Sequence, residues 1–152
     1  MNFLKIQQMV MKDISKAKDM GIMQTKWSLG KHGTDHVITD DKIMFFVPED
    51  FLWLNPNVPI IRKSEEEINN VIPDLDEIED FEFINRIEIV AKKNLCVLAP
   101  LAANEKFHLN IMIDKKYFDL FDDPEFFGTT PESPVVIKEG GVLRAVVMPY
   151  MV

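Results

Sequence analysis

The sequence contains little of what enzymes and secreted proteins usually depend on. It has one cysteine, Cys96, so it can build neither an internal disulfide framework nor a zinc cage of several cysteines. It has no glycine-rich phosphate loop, no Gly-x-Ser-x-Gly turn and no His-Glu-x-x-His motif. We therefore interpret the chain as non-enzymatic and expect no cofactor.

Long hydrophobic runs are also missing. No basic stretch followed by an apolar one opens the chain, so we expect no secretory signal. The longest apolar runs are far shorter than the ~20 residues of a membrane-spanning helix. Together with the single cysteine, these features predict a cytoplasmic protein that does not enter a membrane.

Basic residues are outnumbered, with 17 Lys and Arg against 25 Asp and Glu, which gives a formal net charge of −8. This balance argues against a simple nucleic-acid binder, whose surface is normally basic overall. The composition, 47% hydrophobic and 28% charged, is that of a globular chain. Its 152 residues suit one domain with a real core, so we predict a single domain over residues 1–152.

The first twenty residues predict a short strand, NFLKI at 2–6, followed by a helix that Gly21 ends. On this helix Ile6, Val10, Ile14 and Ala17 share one side. The opposite side carries Lys5, Lys12 and Lys16. An ordinary solvated face is one interpretation of these lysines.

The middle of the chain predicts strands in TKWSL, HVIT and KIMFFV, with turns at GKHG and TDD. Residues 47–61, rich in proline and aromatics, predict a loop or edge segment against the core. Residues 64–82 are strongly acidic and contain no basic residue. We interpret residues 63–82 as an acidic connection between two half-units, about 1–62 and 83–152.

The second half predicts strands at NRIEIVA and LCVLAPL, then a helix in MIDKKYFDLFDD with Asp114 as its N-cap. A hairpin, PVVIK-EGG-VLRAVVM, closes the chain. NFLKI-QQMVMKDI and KFHLNI-MIDKKYFDLF share a layout of a Phe-led strand and a lysine-bearing helix. This internal similarity predicts an α+β fold of two related units, with two helices packed on antiparallel sheets.

Metal chemistry has one weak candidate, in the stretch KHGTDH. His32, Asp35 and His36 could hold an ion if the loop folded back, but a hairpin turn explains the same residues. The acidic segment lacks the spacing of a calcium loop. We expect no metal site, and a small metal-dependent enzyme is a lesser alternative.

The stretch from Phe107 onward resembles the last domain of the bacterial DNA polymerase III β sliding clamp. The similar features are FHLNIMIDKKYFDLF, with Asn110 and Tyr117-Phe118, then Ser133-Pro134 before three aliphatic residues. The turn Glu139-Gly140-Gly141 and a last strand that ends in Met148-Pro149 complete the similarity, which covers residues 107–152.

This resemblance implies a DNA-clamp fold of two β-α-β-β-β units whose helices line a ring around double-stranded DNA. It implies a processivity factor for DNA replication, with replication proteins as partners and a homo-oligomer as the assembly, since a clamp subunit has three such domains. The DNA-facing residues would be Lys5, Lys12, Lys16, Lys115 and Lys116. The peptide-binding groove would include Val147, Met148, Pro149, Tyr150 and Met151.

An alternative is a clamp-fold protein repurposed for regulation or protein interaction. In that case the acidic segment 64–82 covers the basic face or mimics nucleic acid, and the chain does not bind DNA.

Overall fold

The computed structural model describes residues 1–21, 26–54, 60–74, 82–90, 95–100, 111–128 and 132–149. These residues form an α+β protein. The chain divides into two compact units, Asn2–Val71 and Ile72–Val152, and Met1 is grouped with the second. The division falls within residues 63–82, the segment interpreted above as a connection.

In the part of the unit Asn2–Val71 that the structure describes, two helices accompany four sheet strands. Its elements are α1 (Phe3–Asp19), β1 (Ser28–His32), β2 (Asp35–Thr39), β3 (Ile43–Pro48), a 3-10 turn (Glu49–Phe51), β4 (Ile61–Arg62) and α2 (Glu65–Asn69). The strand order is β4-β1-β2-β3. The pairs β1–β2 and β2–β3 are antiparallel, whereas β4 runs parallel to β1.

Helix α1 begins earlier than predicted, and the strand proposed at residues 2–6 is wrong. Asn2 is the N-cap, and its side-chain oxygen accepts a hydrogen bond from the Lys5 backbone N–H at 2.9 Å. Asparagine is among the best N-cap residues, so it favours a helix that starts at Phe3. The predicted apolar side is buried at Ile6, Val10 and Ile14.

In the first unit β2 and β3 match the predicted strands HVIT and KIMFFV, and the turn at TDD is confirmed. The predicted strand TKWSL shares only Ser28 and Leu29 with β1, and the turn predicted at GKHG is displaced toward the C-terminus. The β1–β2 turn lies at Gly33-Thr34, so most of GKHG belongs to β1. Between β2 and β3, the Asp40 Oδ1 accepts hydrogen bonds from the backbone N–H groups of Lys42 and Ile43. A short acidic side chain that bonds the backbone two residues on is typical of a tight turn.

Part of the acidic segment is the short helix α2. Ser64 caps it in a reciprocal capping box with Glu67. Ile68 is fully buried, and a methyl group added at Gly30 of β1 would lie 3.0 Å from its side chain. The Glu65 carboxylate also accepts a hydrogen bond from the Gly33 backbone N–H at 3.1 Å. Helix α2 is therefore packed on the β1–β2 hairpin.

The described residues of the unit Ile72–Val152 form antiparallel strands and one short helix. Its elements are β5 (Glu82–Val90), β6 (Leu95–Pro100), β7 (Ile111–Asp114), α3 (Lys115–Phe118), β8 (Glu125–Gly128), β9 (Val135–Glu139) and β10 (Val142–Val147). The strand order is β10-β9-β8-β5-β6-β7. Every neighbouring pair in this order is antiparallel.

Helix α3 is much shorter than the helix predicted over MIDKKYFDLFDD. Asp114 is its N-cap as predicted, and its Oδ1 accepts a hydrogen bond from the Lys116 backbone N–H at 3.0 Å. Residues 111–114 pair with β6 as the strand β7. After Phe118 the backbone N–H groups of Leu120 and Phe121 bond carbonyls three residues back, so the α-helix ends after one turn. The closing hairpin is confirmed, with Gly140 and Gly141 at φ 57° and 76° in its turn.

The two units share part of their layout. In each, a helix is followed by three strands in an antiparallel meander, α1-β1-β2-β3 in one and α3-β8-β9-β10 in the other. A strand, β7, directly precedes α3. The predicted strand KFHLNI lies almost entirely outside the described residues. The detailed clamp arrangement stays a prediction.

Candidate nucleic-acid interface

Three lysines form a stripe on α1, directly opposite its buried side. Lys5, Lys12 and Lys16 are all exposed. At 3.6 residues per turn they fall within an arc of about 40°, and they span roughly 16 Å along the axis at 1.5 Å per residue. We call these three residues the lysine face.

The lysine face differs from Lys26 and Lys63 in its surroundings. Among the described residues, no carboxylate lies within 4.0 Å of its three ammonium groups. By contrast, the Lys26 Nζ lies 3.4 Å from Asp13 and 3.8 Å from Asp40, and the Lys63 Nζ lies 3.5 Å from Asp41. The lysine face thus keeps its charge available to an anionic partner.

The two lysines predicted on the second helix are placed less favourably. Lys115 is half-buried and Lys116 is exposed. The Lys116 Nζ lies 3.7 Å from an Asp114 oxygen and 4.8 Å from the ring centroid of Tyr117. These local partners compete with phosphate for Lys116. The DNA contacts of Lys115 and Lys116 stay a prediction, and the lysine face is the stronger part of the candidate interface.

The residues predicted to line a peptide groove are only partly described. Val147 is buried in β10, Met148 is exposed and Pro149 is buried. Tyr150 and Met151 lie outside the described residues. Of the three described residues, only Met148 offers surface to a partner.

The histidine stretch is a hairpin, as its turn residues indicate. The His32 Nδ1 lies 2.8 Å from the Asn69 Oδ1, and its ring meets Phe46 edge-on with centroids 5.4 Å apart. Within the described residues, no three His, Cys, Asp or Glu side chains are placed to hold a metal ion.

His36 has a perturbed pKa. Burial lowers the pKa of His36 below its ordinary value of 6.5, and the positive charges of Lys31 and Arg62 lower it further. Glu49 and Asp35 oppose the shift without cancelling it. The neutral imidazole is therefore favoured in the folded protein.

An exposed group of rings was not anticipated from the sequence. Phe3 stacks on Phe51 with centroids 5.1 Å apart, and Phe51 meets Trp53 edge-on at 6.1 Å. Trp53 keeps 55% of its surface exposed and Phe51 keeps 44%. Residues 47–61 were predicted to lie against the core; within that segment Leu54 does so, whereas Trp53 does not.

Gln7 holds this segment in place. Its side chain is only 3% exposed, and its Nε2 donates to the carbonyls of Phe3 at 3.0 Å and Phe51 at 2.7 Å. Its Oε1 accepts from the backbone N–H groups of Trp53 at 2.6 Å and Leu54 at 3.1 Å. The burial of Gln7 was indicated by the sequence. Gln7 lies three residues before Val10 and seven before Ile14, so it falls on the buried side of the helix although it is polar.

The fold and these surfaces define an α+β protein with a basic stripe on one helix. No family model matches the chain, and no match was found among curated proteins or solved structures. None of the described helices is long and apolar enough to span a bilayer.

Proposed function

We propose that this chain is a non-enzymatic, DNA-clamp-like module that binds the phosphate backbone of double-stranded DNA through the lysine face. The observation that carries the proposal is a set of three exposed lysines on one narrow stripe, with no carboxylate partner among the described residues. In a chain of net charge −8, such a stripe is a local exception.

Contacts of this kind position a protein on DNA and carry no sequence information. If each lysine neutralises one phosphate, log K falls with log salt with a slope of about −2.7. Affinity then drops roughly 40-fold between 50 and 200 mM salt. Binding should therefore be sequence-independent and strongly sensitive to salt.

The shared helix-and-meander layout of the two units supports the clamp part of the proposal. It agrees in part with the repeated unit that the resemblance over residues 107–152 implies. One such domain is too small to encircle DNA alone, so assembly into a homo-oligomer and contacts with replication proteins belong to the same proposal. Light scattering at low salt should show a multimer, and a strict monomer would count against a ring.

The test compares two triple variants of equal charge. Lys5→Gln/Lys12→Gln/Lys16→Gln removes the lysine face, and Lys18→Gln/Lys31→Gln/Lys42→Gln neutralises three exposed lysines elsewhere in the same unit. Both change the net charge from −8 to −11, since three positive charges are lost. Anisotropy of a labelled 20-base-pair duplex, from 25 to 200 mM KCl, measures affinity and its salt slope.

We expect the lysine-face variant to lose binding at 25 mM KCl and the control variant to keep both binding and slope. Equal losses in the two variants would show that net charge alone matters. Absence of DNA binding by the unmodified chain at 25 mM KCl would refute the proposal.

A regulatory function is favoured by the placement of α2. Glu65, Glu66 and Glu67 are exposed on a helix that is fixed to the β1–β2 hairpin. If these carboxylates oppose DNA binding, Glu65→Gln/Glu66→Gln should raise DNA affinity. Asp119→Asn/Asp123→Asn, which neutralises two exposed carboxylates of the other unit, is the matched control. Equal effects of the two variants would remove this second candidate.

A further inference from the structure

An apolar patch lies on the unit Asn2–Val71, on a different side of α1 from the lysine face. Its members are Leu4, Met11, Phe51 and Trp53, all exposed. Leu4 and Met11 are seven residues apart, so they share one side of α1 with Gln7 between them. Because Gln7 bonds the backbone of Phe51, Trp53 and Leu54, the aromatic segment crosses α1 at that point.

We propose that the apolar patch binds a basic peptide segment of a partner protein. Aliphatic or aromatic side chains of the peptide would contact Phe51 and Trp53, and its Lys or Arg side chains would be attracted to Glu49 and Asp50. This surface is separate from the proposed DNA interface, and either can fail without the other.

The patch has the properties of a docking surface. Phe and Trp side chains dominate interface energetics, and exposed groups of large apolar residues mark interaction sites. Leu4, three residues before Gln7 on α1, is 52% exposed. The hydrogen bonds of Gln7 fix the backbone of the aromatic segment before binding, which lowers the entropic cost of ordering it.

The exposed carboxylates on the aromatic segment favour a basic partner. The segment 43–60 contains two acidic residues, Glu49 and Asp50, and no basic one. Both are exposed and come directly before Phe51. An exposed Trp ring near carboxylates also attracts Lys and Arg through its face. The net charge of −8 steers a cationic segment toward this chain.

Two other occupants fit the patch less well. Carboxylates before Phe51 repel nucleic-acid phosphates, and the edge-on arrangement of Phe51 and Trp53 at 87° does not offer parallel rings to successive bases. A second copy of this chain carries the same net charge of −8 and the same acidic segment, so charge repulsion opposes self-association through the patch.

The experiment uses three labelled synthetic 12-residue peptides that contain no Trp. One is composed of Lys, Leu and Phe; the second has Glu in place of Lys; the third has Ser in place of Leu and Phe. Anisotropy in 50 mM KCl measures the binding of each peptide to the full chain. Trp53 is exposed and Trp27 is 1% exposed, so a blue shift in tryptophan emission on binding reports on Trp53.

We expect the Lys/Leu/Phe peptide to bind best and to shift the emission. Trp53→Ala should weaken this binding at least 10-fold. Met20→Ala, which truncates an exposed apolar residue outside the patch, should leave it unchanged. Glu49→Gln/Asp50→Asn should weaken binding several-fold and reduce its salt dependence. Far-UV circular dichroism verifies that each variant is folded.

Each contrary result overturns the proposal in a different way. Equal binding of the Glu peptide would remove the charge requirement, and equal binding of the Ser peptide would remove the apolar one. Unchanged peptide binding by Trp53→Ala would exclude the patch. A Trp53 shift with oligo-dT and none with the peptides would assign the patch to nucleic acid. A concentration-dependent shift of the protein alone, absent in Trp53→Ala, would assign it to a second copy.

Discussion

Replacing Gln7 by Leu should destabilise the unit Asn2–Val71 strongly, although the two side chains are similar in shape. Leucine has nearly the same size and fits the helix, but it can neither donate nor accept hydrogen bonds. The Phe51 carbonyl and the N–H groups of Trp53 and Leu54 would each lose the side-chain partner that the structure shows. The Phe3 carbonyl still accepts the helical bond from the Gln7 backbone.

The magnitude follows from those three backbone groups. Each buried polar group left without a partner costs about 1–3 kcal/mol. The total cost for the three groups is about 3–9 kcal/mol if water reaches none of them. Trp53 is 55% exposed, so water can reach its N–H and restore part of the loss. With two groups left unsatisfied, we expect a loss of about 2–6 kcal/mol in the free energy of unfolding.

Urea unfolding followed by far-UV circular dichroism measures this loss. Gln8→Leu is the matched control, because Gln8 is the exposed neighbour on the same helix and the side-chain change is identical. It should alter stability by less than about 0.5 kcal/mol, as surface changes usually do. If Gln7→Leu and Gln8→Leu unfold within that margin of each other, the role assigned to Gln7 is wrong.

Two further predictions concern the same unit. Gly30→Ala should cost about 1–3 kcal/mol, because its Cβ would lie 3.0 Å from the Ile68 side chain and 3.2 Å from the Lys63 carbonyl oxygen. In an Ile68→Ala background the cost measured by urea unfolding should shrink, and an unchanged cost would contradict the contact. For His36, whose pKa is lowered on folding, the unfolded chain binds the proton more readily, so stability should fall as pH drops from 7 through 6.5 toward the folded pKa. His36→Gln should flatten thermal unfolding midpoints across that range, and identical pH profiles would refute this assignment.

The hairpins were predictable because their signals are local. Gly33, Asp40 and the pair Gly140-Gly141 determine where the chain turns, and the strands beside them have β-branched or aromatic residues. The lysine face was also predictable, since helical periodicity alone puts Lys5, Lys12 and Lys16 on one side.

Features that depend on distant partners were not predictable. The pairing of β7 with β6 is one such feature, because no property of residues 111–114 alone reveals the strand they pair with. For residues 2–6 the sequence contains two conflicting signals, an aromatic residue that favours a strand and Asn2 that favours a helix N-cap. The structure has the helix, which starts at Phe3. The exposure of Trp53 follows from backbone contacts to Gln7, 46 residues away, which override its apolar character.

The positions of the two tryptophans, Trp27 and Trp53, have a consequence for any unfolding experiment. Both belong to the unit Asn2–Val71. Intrinsic fluorescence therefore follows the melting of that half, whereas circular dichroism also samples the strands of the other. Coincident transitions by the two signals would show that the halves melt as one cooperative block, and separated transitions would give each half its own midpoint.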